Sequence, residues 1–151
     1  MGHLQRLSEL GIELPAVAAP VANYVPAVRT GPYVYTSGQL PSVGGELVVT
    51  GAVGDQVSVA DARAQARICA LNALAAVHAL VGLDAVARVV KVVGYVASAP
   101  GFTGQPAVVN GASDLLGEVF GTAGAHARSA VGVMALPMGA PVEIELVVEV
   151  R

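Results

Sequence analysis

The feature that most constrains the fold is a long apolar helix near the middle of the sequence. Ser58 and Asp61 form a capping-box pattern, in which the two side chains satisfy the first free N–H groups of a helix. Apolar residues then recur at helical spacing to about Leu83, and polar side chains crowd only the first half. Because the second half is apolar nearly all round, we expect it to be buried inside the domain.

The segments on either side of this helix read as strands and one further helix. Turn pairs at Gly31-Pro32 and Gly44-Gly45 predict a small antiparallel meander in the first half. After the long helix we expect a valine-rich central strand over residues 87–98 and a second helix over residues 107–121. A closing hairpin is expected from strands at residues 126–136 and 142–150. A short helix is expected at residues 3–11. The chain is thus predicted to be one α+β domain, with an antiparallel or mixed sheet and two helices packed on one face.

Charged side chains are scarce, which bears on partners and location. They make up 13% of the 151 residues, against 54% apolar residues, so we expect apolar surface to be buried between subunits. The net charge of −3 offers no basic excess for nucleic acid. The longest apolar run, 73–83, is far shorter than the ~20 residues of a membrane span, and the N-terminus lacks a signal-peptide pattern. These features predict a cytoplasmic protein that contacts neither nucleic acid nor membrane.

The metal-binding residue types do not cluster in the sequence. Cys69 is the only cysteine, which excludes an internal disulfide and any site with several cysteines, and its apolar surroundings predict a buried thiol. The three histidines show no zinc-ligand spacing. We therefore expect no metal.

Two charged residues stand out on predicted strands. Arg128 shares a strand face with Ala130 and Gly132, which suggests a guanidinium with open space before it, suited to a carboxylate. Glu143 lies on the polar face of the alternating last strand. From pattern alone, Arg128 is as well explained by an ion pair with Glu143 as by a ligand clamp.

Three motifs in order resemble the Rid family, the YjgF-type proteins also labelled endoribonuclease L-PSP. ARSAVGVMALPMGAPVEIE is similar to the family's C-terminal signature, NYVPAVRTGPYVYTSGQLP to its second motif, and VVNGASDLLGEVFG to its third. The resemblance covers residues 22–151, so residues 1–21 are interpreted as an N-terminal extension with a short helix. It implies a fold like bacillus chorismate mutase, assembled as a trimeric barrel.

The resemblance also implies an activity, the hydrolysis of 2-imino acids or their enamine tautomers to 2-oxo acids and ammonia in clefts between subunits. Arg128 would bind the substrate carboxylate and Glu143 would position or activate water. The remaining implied substrate-binding residues are Tyr24, Ser37, Gly38, Asn110 and Ala130. The family often has cysteine at the last of these positions, so a thiol contribution is absent here. No metal or organic cofactor is implied.

Two other functions compete with the deaminase. A trimeric binding module could hold a small carboxylate, such as a 2-oxo acid, in the same clefts without turning it over. Glu143 discriminates between the two, because binding alone does not require it. Ribonuclease activity, suggested by the family label, is the weaker alternative, since the chain has a negative net charge and no basic patch.

Overall fold

The computed structural model describes all 151 residues and contains three α-helices and seven strands. The helices are α1 (His3–Glu9), α2 (Val59–Val81) and α3 (Gln105–Phe120). The strands are β1 (Ala27–Thr30), β2 (Tyr33–Thr36), β3 (Ser42–Val43), β4 (Glu46–Leu47), β5 (Val86–Ala97), β6 (Ala127–Val133) and β7 (Val142–Val150). The predicted α+β class is confirmed.

Five of the strands form one mixed sheet in the order β1-β2-β7-β5-β6. The pairs β1-β2, β2-β7 and β7-β5 are antiparallel, whereas β5 and β6 are parallel. The predicted closing hairpin is therefore wrong, because β5 lies between β6 and β7. The physical reason is the connection: α3 carries the chain from β5 across to β6, and such a helical crossover is what parallel neighbours need.

Helix α2 is the core helix that the sequence predicts. The Ser58 hydroxyl oxygen accepts a hydrogen bond from the backbone N–H of Asp61 at 3.1 Å, so the serine half of the expected capping box is present and the reciprocal bond to the Asp61 carboxylate is not. The Cys69 thiol is fully buried on this helix, as predicted. By length and hydropathy α2 could cross a membrane, but 56% of its most apolar stretch is buried inside the protein. This is the behaviour of a helix that forms the centre of a globular domain.

The two long helices cover one face of the sheet. Along β7, Val142, Ile144, Leu146 and Val148 point into the core between sheet and helices, and the residues that alternate with them do not. The other face has no covering layer within the chain, and Tyr33 and Tyr35 are exposed on it. The expectation of helices on a single face is therefore confirmed.

The N-terminal helix α1 is docked onto the domain rather than free. Leu7 is part of the hydrophobic core, and His3 Nε2 bonds to the carbonyl of Val86 at 2.9 Å. Arg6 Nε donates to the carbonyl of Glu118 on α3 at 2.9 Å. This helix thus contacts both the start of β5 and the end of α3.

Two glycines on α3 allow a matched test of the helix packing that carries the site. A Cβ at Gly111 would overlap the carbonyl oxygen of Arg63 on α2, whereas a Cβ at Gly117 would meet open space. We expect Gly111→Ala to destabilise the fold by about 1–3 kcal/mol through overpacking. Gly117→Ala should stabilise it by up to about 1 kcal/mol, because alanine is the better helix former. Urea unfolding of both variants at one protein concentration measures this; equal stability of the two would contradict the close helix contact.

Candidate active site

Arg128 on the edge strand β6 is held by helix α3. Its Nη1 donates to Asn110 Oδ1 at 2.7 Å and to Ser113 Oγ at 3.2 Å. Its Nη2 donates to the carbonyl of Pro106 at 3.4 Å. Asn110 and Ser113 are three residues apart, so one face of α3 presents both acceptors to the strand beside it. The parallel pairing of β5 and β6 is what places this strand next to α3.

These hydrogen bonds leave a defined part of the guanidinium free. Arginine carries five N–H donors, and both donors of Nη1 are occupied. Nε–H and one N–H of Nη2 have no partner in the chain. The Nε side of the guanidinium is thus the edge left for a ligand, because Nε–H together with an N–H of Nη2 can bind a carboxylate through two parallel bonds. No carboxylate of the chain pairs with Arg128, since the ion pairs are Arg6–Glu9, Arg63–Asp114 and Arg67–Glu118.

The small residues beside Arg128 have different surroundings. Ala130 lies opposite Gly94 of β5 and packs against the core from the helix side. A Cβ at Gly132 would lie 2.8 Å from Gln105 Nε2 and 3.0 Å from Ser98 Oγ. The space above Gly132 is therefore occupied by Gln105. The sequence predicts open space in front of Arg128 over both Ala130 and Gly132, and the structure shows that this space does not extend over Gly132.

Glu143 forms a second group with the loop that follows β2. Its carboxylate is packed against the backbone of Gly38 so closely that any side chain there would overlap Oε1. It makes no hydrogen bond or ion pair within the chain, and it lies opposite Tyr95 of β5 in the sheet register. Glycine at position 38 is thus required for Glu143 to occupy this position.

The electrostatic surroundings of Glu143 favour its neutral form. Partial burial, with the nearby charge of Glu145 as the smaller cause, raises the pKa of Glu143 above its ordinary value. Glu145 accepts a hydrogen bond from the Tyr95 hydroxyl at 2.6 Å, and this bond raises the pKa of Tyr95 to about 12. The acidic residues on this face of β7 thus differ in their surroundings, because Glu145 is bonded to a tyrosine whereas Glu143 is half-buried and unpaired.

The other predicted residues extend the Glu143 group. Ser37 Oγ donates to the carbonyl of Val25 at 2.5 Å, which ties the strand end to the segment that carries Tyr24. The Tyr24 ring is 42% exposed, and its hydroxyl accepts from the N–H of Val21 at 3.2 Å. Ser37, Gly38 and Glu143 therefore form one group, with Tyr24 on the segment tied to it through Val25, whereas Arg128, Asn110 and Ala130 form another.

The two groups do not meet within one chain. Arg128 is aligned with Val92 and, through it, with Leu146 of β7, three positions from Glu143. Two strand spacings and three residues of rise separate the two Cα atoms by roughly 14 Å. The side chains also project from opposite faces of the sheet, since Arg128 contacts α3 and Glu143 does not share the buried face of β7. The ion pair considered from the sequence is therefore absent.

Two residues of the Arg128 group are missing from the sequence prediction. Ser113 contacts Arg128 directly, and His126 contacts Ser113, with Nε2 2.9 Å from Oγ. A signal for both was present in the spacing. His126 directly precedes β6 in the predicted strand and lies two residues before Arg128, and Asn110 and Ser113 are three apart on a helix, so each pair shares one face.

The raised pKa of Glu143 predicts how Glu143→Gln changes stability with pH. A raised pKa means that folding favours the protonated carboxyl, a stabilisation present below the unfolded value of about 4.3 and lost as pH rises through the folded value. Glutamine keeps the neutral form at every pH. We expect the variant to gain thermal stability relative to the wild type between pH 4 and pH 7, and paired melting curves measure the gain. A difference that stays constant across this range would contradict the role of the charge.

Known proteins resemble this chain in both sequence and structure. A model of the YjgF/chorismate mutase-like endoribonuclease family matches residues 4–150. Protein TCP17 of Trypanosoma cruzi is 50% identical over 149 residues, which cover 96% of this chain and 92% of that protein. The structure of Atu1372 from Agrobacterium tumefaciens is 48% identical with a TM-score of 0.91, covering 99% of this chain and 92% of that one. Escherichia coli TdcF with bound serine is 27% identical with a TM-score of 0.65, covering 92% and 95%. The chain therefore belongs to the YjgF/chorismate mutase-like family that its three motifs predict.

Proposed function

We propose that this protein hydrolyses 2-imino acids, or their enamine tautomers, to 2-oxo acids and ammonia in clefts between the subunits of a cytoplasmic homotrimer. The observation that carries the proposal is the state of Arg128. Its guanidinium is held by three acceptors at α3, has no carboxylate partner in the chain, and keeps Nε–H and one N–H of Nη2 free. A cation held in this way suits the carboxylate of a small substrate.

A structural relative supports the choice of ligand class. TdcF, which shares the fold, has been solved with bound serine, an amino acid that carries a carboxylate. The 2-imino acids carry the same group on the same carbon framework. In the proposed complex, the free edge of Arg128 binds this carboxylate and thereby orients the adjacent C2=N bond.

In this proposal, Glu143 is the general base that activates water. Its carboxylate has no partner, and its pKa is raised toward the range in which a carboxylate works as a general base. The substrate reacts as the protonated imine: Glu143 removes a proton from water as the water oxygen bonds to C2, and the C2=N π electrons move to nitrogen, which gives a carbinolamine. Glu143 then donates that proton to the amino nitrogen, and ammonia leaves as the C2–N bond breaks. The hydroxyl proton passes back to Glu143 as C2=O forms, and from there to the released ammonia. The imine carbon is already electrophilic, so orientation and an activated water suffice.

The separation of the Arg128 group from the Glu143 group within one chain is the reason for proposing a trimer. Neither Arg128 nor Glu143 lines one of the principal cavities of the chain, and the largest of these, about 460 Å³, lies beneath α1. The sheet face that carries Glu143 is uncovered, and β6 is an edge strand. In the proposed assembly, a neighbouring copy covers this face and completes each cleft. Scarce charge is consistent with such burial, because obligate interfaces are more apolar than other surfaces.

Two measurements test the proposed function. An amino-acid oxidase or dehydratase generates the 2-imino acid in the presence of the protein, and the rate of 2-oxo acid formation is followed. We expect faster formation with the protein and a scattering mass of three times the 15.1 kDa chain. No acceleration across several 2-imino acids, together with retained binding of 2-oxo acids, would replace the enzyme with the carboxylate-binding module. A monomer at micromolar concentration would contradict the intersubunit cleft.

A further inference from the structure

A hydrogen-bonded chain behind Arg128 connects it to a histidine that the catalytic proposal does not use. Ser113 Oγ lies 3.2 Å from Arg128 Nη1 and 2.9 Å from His126 Nε2. The other ring nitrogen, Nδ1, lies 2.6 Å from the carbonyl oxygen of Gly124. His126 is partly buried and does not contact the free edge of the guanidinium.

The direction of each bond follows from the chemistry of the groups. A carbonyl oxygen only accepts, so His126 Nδ1 carries the proton of that bond, and in the neutral ring Nε2 is then an acceptor. The Ser113 hydroxyl must donate to Nε2, because Arg128 Nη1 can only donate. The lone pairs of Ser113 Oγ are thereby left for Arg128. In the neutral ring, each proton of this hydrogen-bonded chain therefore has one placement, which the carbonyl of Gly124 determines.

The consequence for Arg128 is a fixed guanidinium plane. One Nη1 proton is directed to Asn110 and the other to Ser113, so rotation of the group would break both bonds. Without the acceptor on His126, the Ser113 hydroxyl could turn its proton toward Arg128, where it would repel the Nη1 donor. The orientation of the free Nε–H and Nη2–H pair thus depends on His126 as well as on the two α3 side chains.

We propose that His126 and Ser113 are positioning residues that hold Arg128 in the orientation required to bind a substrate carboxylate. This inference rests on the proposed role of Arg128 as the carboxylate-binding residue and adds to it the means by which the arginine is oriented. His126 acts only through Ser113 and touches no substrate.

Binding of pyruvate, measured by calorimetric titration, tests the chain directly. His126→Leu removes the bond between Ser113 and His126, and Ser113→Ala removes that bond together with the one from Arg128 Nη1. We expect each variant to lose affinity by about 3- to 10-fold. His126→Gln is the matched control, because its amide oxygen can accept from Ser113 where Nε2 does, and we expect affinity within about 2-fold of wild type. The double variant of Ser113→Ala and His126→Leu should bind no more weakly than Ser113→Ala alone, since both changes interrupt one chain.

The variant Arg128→Met separates failure of this inference from failure of the proposed function. If that variant binds pyruvate like the wild type, the carboxylate role of Arg128 is wrong. If it loses binding while His126→Leu retains wild-type affinity, only the positioning role is wrong. Additive losses of pyruvate affinity in the double variant would also overturn the positioning role.

A second readout needs no ligand. Phenylglyoxal modifies arginine side chains, and mass spectrometry of peptides reports the rate at Arg128 alone. We expect faster modification in folded Ser113→Ala and His126→Leu, because the guanidinium is released, and a wild-type rate in His126→Gln. Equal rates in all four proteins would contradict the proposal, whatever their affinity for pyruvate.

Discussion

Glu143→Gln is expected to lower the rate of imine hydrolysis by about 10²- to 10⁴-fold, the usual contribution of a general base. Glutamine preserves the shape that fits against Gly38, but it cannot take a proton from water at neutral pH. Affinity for a 2-oxo acid should change little, because the carboxylate of the ligand is assigned to Arg128. The coupled assay and calorimetric titration of pyruvate measure the two quantities separately.

Glu149→Gln is the matched control for this result. Glu149 lies on the same strand and the same face, but it is aligned with Tyr33 and Arg88 at the other end of β7. We expect it to retain wild-type hydrolysis. Full activity in Glu143→Gln would remove Glu143 as the base, and an equal loss in both variants would point to a general effect of acidic charge on this face.

Arg128→Lys is expected to weaken binding of 2-oxo acids by about 10- to 150-fold, which corresponds to about 1.5–3 kcal/mol for a hydrogen bond to a charged group. Lysine keeps the positive charge but loses the planar fork, so it cannot both bond to Asn110 and Ser113 and offer two parallel donors to a ligand. Calorimetric titration measures the affinity, and circular dichroism verifies that the variant is folded.

Arg29→Lys serves as the control for the loss of an arginine elsewhere. Arg29 is exposed on β1, and its Nε bonds only to the nearby carbonyl of Gly31. We expect no change in affinity from this substitution. Wild-type binding in Arg128→Lys would assign Arg128 a purely structural role, in which it ties the edge strand β6 to α3.

Membership of the family establishes the fold, whereas the reaction depends on the residues of the site. The relatives share the sheet and helices, and one of them has been solved with serine. What distinguishes an enzyme from a binding module in this chain is the unpaired carboxylate of Glu143, whose pKa is raised by partial burial and by Glu145. In the proposed function, hydrolysis requires this carboxylate, whereas binding of a carboxylate alone does not.

The local features of the structure could be predicted because they depend on neighbouring residues. The Ser58 cap and the apolar periodicity predict α2, and the structure has that helix at Val59–Val81. Alternation along VEIELVVEV predicts which side chains of β7 are buried, and Val142 through Val150 follow it. The period of two in a strand and 3.6 in a helix is a property of the backbone itself, so such patterns survive whatever packs against them.

Only the tertiary structure decided which elements are neighbours, and the site depends on that choice. Alternation shows which residues share a face, but not which strand lies beside them. The sequence therefore predicts a closing hairpin, whereas β6 pairs in parallel with β5. That pairing brings His126 and Arg128 against Ser113 and Asn110, residues 13 to 18 positions apart. It also separates Arg128 from Glu143, although they stand on adjacent strand segments of the sequence. Hydrogen bonds between side chains depend on ångström-scale distances across packed elements, and residue types and spacing alone do not contain those distances.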